Sequence, residues 1–110
     1  MSDDVIVMNE VMNDGKTVHL HYSEMFQEYV AYGFSAYIVC RTIPPLATKA
    51  HLSYSDQLQM PMVRVDAVNL KILKQKVAPL ETADAHHLTL TVSIALNEYN
   101  YTSWASIIRG

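Results

Sequence analysis

The stretch Phe26-Gln-Glu-Tyr-Val-Ala-Tyr-Gly-Phe-Ser-Ala-Tyr-Ile-Val-Cys40 is the longest apolar tract in the chain, and its conformation decides the fold. Apolar side chains recur in it both at every second residue and at helical spacing, so periodicity alone does not choose between strand and helix. Its aromatic and β-branched residues favour a strand because such side chains pack well on a pleated surface. We therefore predict one long strand or two short ones over residues 26–41, bent at Gly33. A buried helix is the alternative.

Period-two alternation marks the other strands. Residues 16–22 alternate, with Val18 and Leu20 on one face, and residues 87–96 carry the cleanest alternation in the chain. A short edge strand is predicted near 62–65. Asp66 then stands at an N-cap position, which predicts a helix over residues 67–76.

These elements predict an α+β fold with a small, mainly antiparallel sheet and one or two helices packed on one face. A chain of 110 residues is expected to form a single globular domain spanning residues 1–110. The two ends, 1–14 and 101–108, fit either a strand or a helix, and Val5, Met8 and Met12 stand at helical spacing in the first. Residues 46–61 are predicted to form a long loop. We find no repeated segment and expect no repeat architecture.

Composition excludes several classes of function. The net charge is −3, and a nucleic-acid partner is not expected because phosphate binding needs concentrated positive charge. The chain has no apolar run long enough to span a membrane. It begins without the basic and apolar blocks of a signal peptide, and its one cysteine, Cys40, fits a reducing compartment. We therefore expect a cytoplasmic protein.

Two histidines form the candidate metal site. His19 and His21 stand two residues apart in the alternating segment, so they share one face of the predicted strand. Imidazoles at this spacing are usable ligands for a divalent metal, although such pairs more often face solvent. The further candidate ligands are Glu81, Asp84, His86 and His87. Because adjacent strand residues point opposite ways, at most one of His86 and His87 could join the site.

Catalytic motifs are absent from the sequence. It contains no glycine-rich phosphate loop, no paired-carboxylate motif and no nucleophile elbow. Cys40 lies in an apolar setting and is interpreted as a small buried hydrophobe rather than a nucleophile. We therefore predict no catalytic residue and no cofactor other than the candidate divalent metal.

The tyrosines indicate an interface. On the strand interpretation, Tyr29 and Tyr37 share one face, with Gly33 and Ser35 between them, and small residues flanked by tyrosines allow close approach of another element. A helix of the same chain covering this face is the alternative.

The functional prediction is a non-catalytic protein-interaction module that forms a homodimer through this tyrosine-rich face. The alternative is a small metal-binding protein or metal-dependent enzyme that uses His19 and His21. A third hypothesis is a small-ligand pocket lined by tyrosines and residues 46–61.

Overall fold

The computed structural model describes residues 3–13, 17–48, 50–76, 78–79, 87–91 and 98–109. The helices within them are α1 (Asp3–Val11), α2 (Gly33–Thr42), α3 (Ala67–Lys76) and α4 (Glu98–Arg109), with one 3-10 turn at Pro44–Leu46. The strands are β1 (Thr17–Ser23), β2 (Glu28–Tyr32), β3 (Leu52–Ser55), β4 (Met60–Val65), β5 (Ala78–Pro79) and β6 (His87–Thr91).

The fold is α+β, as the sequence predicts. The strands form one antiparallel sheet in the order β3-β4-β2-β1-β6-β5. Helix α2 packs on the sheet face that carries Leu20, Ala31 and Val63, all of them fully buried. The described residues contain four helices rather than one or two, because the segments at both ends of the chain, which fitted either type, are helical, and so is the second part of the tract 26–41.

The prediction of strand structure throughout residues 26–41 is wrong beyond Tyr32. Strand β2 ends there and α2 begins at Gly33, whose φ of +54° turns the chain out of the sheet. Residues 33–40 are all buried, so α2 has no solvated side and lacks the amphipathic period that identifies most helices. Its aromatic and β-branched residues favour a strand locally, but burial on all sides overrides that preference.

The elements with strong local signals are confirmed. Strand β1 lies within one residue of the prediction, and α3 spans the predicted residues 67–76. Asp66 is the N-cap residue of α3, since its Oδ1 accepts the N–H of Asn69 at 2.8 Å. The predicted strand 87–96 is described only as far as Thr91, and its remaining residues lie outside the described ranges.

The prediction of an edge strand near 62–65 is half correct. A strand is present, but β4 lies inside the sheet between β3 and β2. The edge strand on this side is β3, which falls within the predicted loop 46–61. Its four residues are too few to give a clear period, which explains why the sequence pattern did not reveal it.

The first strand and the turn of the hairpins β1–β2 and β3–β4 share one sequence pattern, which corrects the expectation of no repeat. Residues 19–27 (HLHYSEMFQ) match residues 51–59 (HLSYSDQLQ) at five of nine positions. The strand registers also match, because Leu20 faces Ala31 in the first hairpin and Leu52 faces Val63 in the second.

The two hairpin turns share the same geometry. In each turn a serine hydroxyl oxygen accepts the N–H of the residue three positions later, and the last turn residue is a glutamine with positive φ. These residues are Ser23, Phe26 and Gln27 (3.4 Å, φ +54°) in the first turn and Ser55, Leu58 and Gln59 (3.2 Å, φ +58°) in the second.

The repeat extends to the architecture of the sheet. Each hairpin is followed by a helix, so residues 17–42 form one β-β-α unit, called unit 1, and residues 52–76 form a second, called unit 2. The units meet through β2 and β4, where Ala31 pairs directly with Val63, its counterpart in the other unit. A local two-fold axis between these two residues therefore relates the four hairpin strands, but it does not relate the helices, because α2 packs on β1, β2 and β4 whereas α3 contacts mainly α2 and β5.

Candidate functional site

The most distinctive polar site lies where α1 meets the start of α2. Helix α1 places Glu10, which is only 6% exposed, against the first turn of α2. The Ser35 N–H donates to Glu10 Oε1 at 2.8 Å, and the Ser35 hydroxyl donates to Oε2 at 2.7 Å. Tyr32, the residue before α2, provides no side-chain cap. Glu10 therefore supplies from another helix the acceptor that an N-cap residue usually supplies.

Ser35 also connects α2 to the sheet. Its hydroxyl oxygen accepts the backbone N–H of His19 at 2.8 Å. The pairing of β1 with β2 ends at Leu20 and Ala31, one residue short of His19. The Asn13 side-chain amide donates to the carbonyl oxygen of Thr17 at 2.7 Å and to Glu10 Oε1 at 3.3 Å. We call Glu10, Asn13 and Ser35 the Glu10 network, and it joins α1, β1 and α2.

Burial makes Glu10 titrate near neutral pH. Removal from water disfavours the charged carboxylate and raises the pKa of Glu10 from 4.5 to about 7, although hydrogen bonds from Ser35 and Asn13 act in the opposite direction. The side chain therefore gains or loses a proton within the physiological pH range.

Gly33 allows the close approach of α1 and α2. A Cβ atom on this residue would lie 3.1 Å from Glu10 Cβ and 3.2 Å from Met60 Sδ, distances that are tighter than ordinary contacts. Its φ of +54° is also a conformation that residues with side chains adopt at a cost.

An open cavity of about 270 Å³ adjoins the Glu10 network. The Phe34 and Tyr101 rings stack at its wall with their centroids 4.9 Å apart. Burial, with a contribution from the charge of Glu10, raises the pKa of Tyr101 to about 12, so the phenol keeps its proton at neutral pH. The residues lining the cavity are Glu10, Val11, Asn13, Phe34, Met60 and Tyr101.

Because the Glu10 oxygens accept hydrogen bonds that hold α1 and α2 together, we interpret the Glu10 carboxyl as structural.

The four predicted interface residues do not form one surface. Tyr29 lies on β2 and packs against the core of its own chain, whereas Gly33, Ser35 and Tyr37 belong to α2 and are buried. The Tyr37 ring lies in the core, 5.2 Å from that of Trp104. The predicted tyrosine-rich sheet face is therefore wrong, since α2 removes Tyr37 from the sheet.

The two predicted metal ligands lie on one face of β1, as alternation requires. The ladder places residue 87 of β6 directly opposite His21 and Thr89 opposite His19. His21 is buried, with its ring 6.0 Å from that of Tyr32. Among the side chains that the structure describes, no group of three histidines, cysteines or carboxylates could hold a metal ion. The candidates Glu81, Asp84 and His86 lie outside the described residues.

Cys40 is buried in α2, which confirms its interpretation as a small core residue. Burial raises the pKa of its thiol to about 12. At neutral pH the sulfur therefore keeps its proton, and the nucleophilic thiolate is not formed to a useful extent.

Helix α1 carries a surface that was not predicted. The large apolar side chains on its outer side are between 42 and 77% exposed, while Ile6 and Glu10 point inward. The helical spacing of Val5 and Met8 was visible in the sequence, but such spacing ordinarily marks the buried side of a helix. We call this surface the α1 apolar face, and it consists of Val5, Met8, Val11 and Met12.

Comparison of the chain with protein-family models, curated proteins and solved structures gives no match. Within the described residues, no helix has both the length and the apolar character needed to cross a membrane. The functional argument therefore depends on the surfaces and contacts described above.

Proposed function

We propose that the chain is a non-catalytic, cytoplasmic protein-interaction module that forms a homodimer through the α1 apolar face. The observation that carries this proposal is the exposure of four large apolar side chains on and just after one nine-residue helix. Surfaces of this kind mark interaction sites when they are contiguous, whereas single exposed apolar residues need no explanation.

A second copy of the chain is the partner that fits this face best. Val5, Met8 and Met12 follow the i, i+3, i+7 spacing of a seam between two helices. In a homodimer the seams of the two copies can cover each other across a two-fold axis, so no other protein is needed. Methionine side chains suit this role because they adapt to irregular surfaces.

The Glu10 network supports the same proposal. Because Glu10 points inward and bonds to Ser35, the inner side of α1 is fixed and its outer side faces solvent. The backbone of a helix held in this way is already ordered, so association has to order only its side chains.

Charge on the α1 apolar face is expected to separate the dimer. The double variant Met8→Lys/Met12→Lys places two positive charges on the seam of each copy, and the like charges of the two copies would repel each other across the axis. Sedimentation velocity at tens of micromolar should show a dimer for the unmodified protein and a monomer for the variant. Val68→Lys on α3 is the matched control, since Val68 is 71% exposed but distant in sequence, and it should remain dimeric. A monomeric unmodified protein would contradict the proposal.

Metal binding is the second candidate function, and the register of β1 and β6 favours it. The ladder brings residue positions 19, 21 and 87 to one sheet face, and all three are histidines. Imidazole nitrogens are common ligands of zinc.

If this site binds metal, His19→Ala and His21→Ala should each abolish stoichiometric Zn²⁺ binding in titration calorimetry. The matched control is His51→Ala, because His51 is the counterpart of His19 in unit 2 and should not affect binding. Lack of Zn²⁺ binding by the unmodified, untagged protein would exclude the metal function.

A further inference from the structure

We propose that the outer edge of β3, together with the cavity beside it, binds an extended peptide segment as an added antiparallel strand. The peptide class is one with aliphatic residues at alternate positions and a carboxylate side chain next to them. This site contains none of the residues of the α1 apolar face, so its test is independent of dimer formation.

The repeat provides the first argument. In unit 1 the outer edge of β1 carries an added strand, β6, with Leu20 facing Leu88. In unit 2 the counterpart of β1 is β3, with Leu52 in the place of Leu20 and the same hairpin register. Strand β3 is at the end of the sheet order, so no strand among the described residues pairs with its outer side. Unit 2 therefore has, at β3, an edge equivalent to the β1 edge that pairs with β6 in unit 1.

The backbone groups at this edge provide the second argument. The Arg64 N–H donates to the His51 carbonyl oxygen, which places His51 and Ser53 in hydrogen-bonded pairs with β4. Because these pairs alternate along an antiparallel ladder, the backbone groups of Leu52 and Tyr54 point to the outer side. The Leu52 N–H already donates to Thr48 O at 2.7 Å. The Leu52 carbonyl and both backbone groups of Tyr54 therefore face an incoming strand.

A cavity of about 220 Å³ on the sheet face of the Tyr54–Pro61 pair, between β3, β4 and α4, provides the third argument. Tyr54 on β3 and Ala105, Ser106 and Arg109 on α4 all line it. Successive side chains of an added strand point to opposite faces, so every second side chain would project toward this cavity. Main-chain bonds at an edge combined with a side-chain pocket are the features by which proteins bind peptides as added strands.

The chemistry of the cavity defines the peptide. Its wall contains the Tyr101 ring and the Ala105 methyl group, which suit an aliphatic side chain. Arg109 adds a guanidinium group, which pairs with a carboxylate through charge-assisted hydrogen bonds. An acidic residue close to an aliphatic one is therefore preferred to a basic one.

Two synthetic peptides test the proposal. Each contains the β6 sequence His-Leu-Thr-Leu-Thr, which already pairs with the equivalent edge of unit 1, and the sequence is flanked at both ends by glutamate in one peptide and lysine in the other. Fluorescence anisotropy with the full chain should show about tenfold tighter binding of the glutamate peptide. Arg109→Gln should remove this difference by weakening the glutamate peptide, whereas the lysine peptide should bind equally well or slightly more tightly because a repulsive charge is lost.

Modified peptides separate strand addition from non-specific contact. N-methylation of the alternate amides that face β3 should abolish binding, whereas N-methylation of the other amides should not, because only one set donates to the edge. In two-dimensional NMR spectra the glutamate peptide should shift the amide signals of residues 52–55 and 105–109.

Three results would overturn the proposal. Shifts confined to β1 and β6 would show that the peptide replaces β6 instead of binding to β3. Shifts at residues 52–55 on dilution without peptide would show that a second copy occupies the edge. Equal binding of both N-methylated series would show that no strand is formed.

Discussion

Replacing Glu10 with alanine is expected to lower the free energy of unfolding by about 3 kcal/mol at pH 5, because the Ser35 N–H and hydroxyl lose a buried partner. Urea unfolding followed by the fluorescence of Trp104 measures this loss. At pH 8.5 the same substitution should cost much less.

The pH dependence follows from the raised pKa of Glu10. The pKa of about 7 in the folded chain exceeds the ordinary value of 4.5, so the folded state binds this proton more tightly than the unfolded state. The contribution of Glu10 to the free energy of unfolding is therefore largest below about pH 4.5. It falls as the pH rises to about 7 and is constant above, a total change of about 3 kcal/mol at 1.36 kcal/mol for each pH unit.

Glu10→Gln is the matched control for this prediction. Glutamine keeps a carbonyl acceptor for the Ser35 N–H but does not ionise, so its contribution to stability should be constant between pH 5 and pH 8.5. If Glu10→Ala cost the same free energy at both pH values, the carboxyl would not titrate as described.

The second large effect is expected for Gly33→Ala, which should lower the free energy of unfolding by at least about 2 kcal/mol. The new Cβ would meet Glu10 and Met60 atoms at 3.1–3.2 Å, and alanine at a φ of +54° is strained even in open space. Urea denaturation is the appropriate measurement, and the slope of the unfolding free energy against urea concentration should be the same for the variant and the unmodified protein.

Gln27→Gly provides the opposite comparison. Gln27 also has positive φ, but it lies exposed in the first hairpin turn, so glycine there relieves strain without removing a packed side chain. We expect a change within about 1 kcal/mol of zero. A Gly33→Ala variant as stable as the unmodified protein would show that α1 can move away from α2.

The sequence predicted the elements whose signals are local. The cap at Asp66 and the alternation around Leu20 belong to single segments, and both were confirmed. The tract that contains Gly33 could not be assigned in the same way, because its change from strand to helix depends on distant contacts. Glu10 caps the first turn of α2 from another helix. The residue before α2, Tyr32, provides no side-chain cap, so the sequence gives no local signal that a helix begins there.

The candidate sites show the same division. Placing His19 and His21 on one face needed only strand alternation, whereas the Glu10 network joins residues 25 positions apart, which no local pattern reveals. The β3 edge is different, because the sequence did contain its signal. The match between residues 19–27 and 51–59 was sufficient to predict a second hairpin in the segment that we expected to be a loop.

The pairing of Ala31 with Val63 has an evolutionary consequence. Where a residue pairs with its own counterpart, an ancestor of half the length would build the same four-stranded sheet by joining two identical copies. The two halves of the present chain differ in how their helices begin: the helix of the first half is capped by a carboxylate from α1, and the helix of the second half by its own Asp66.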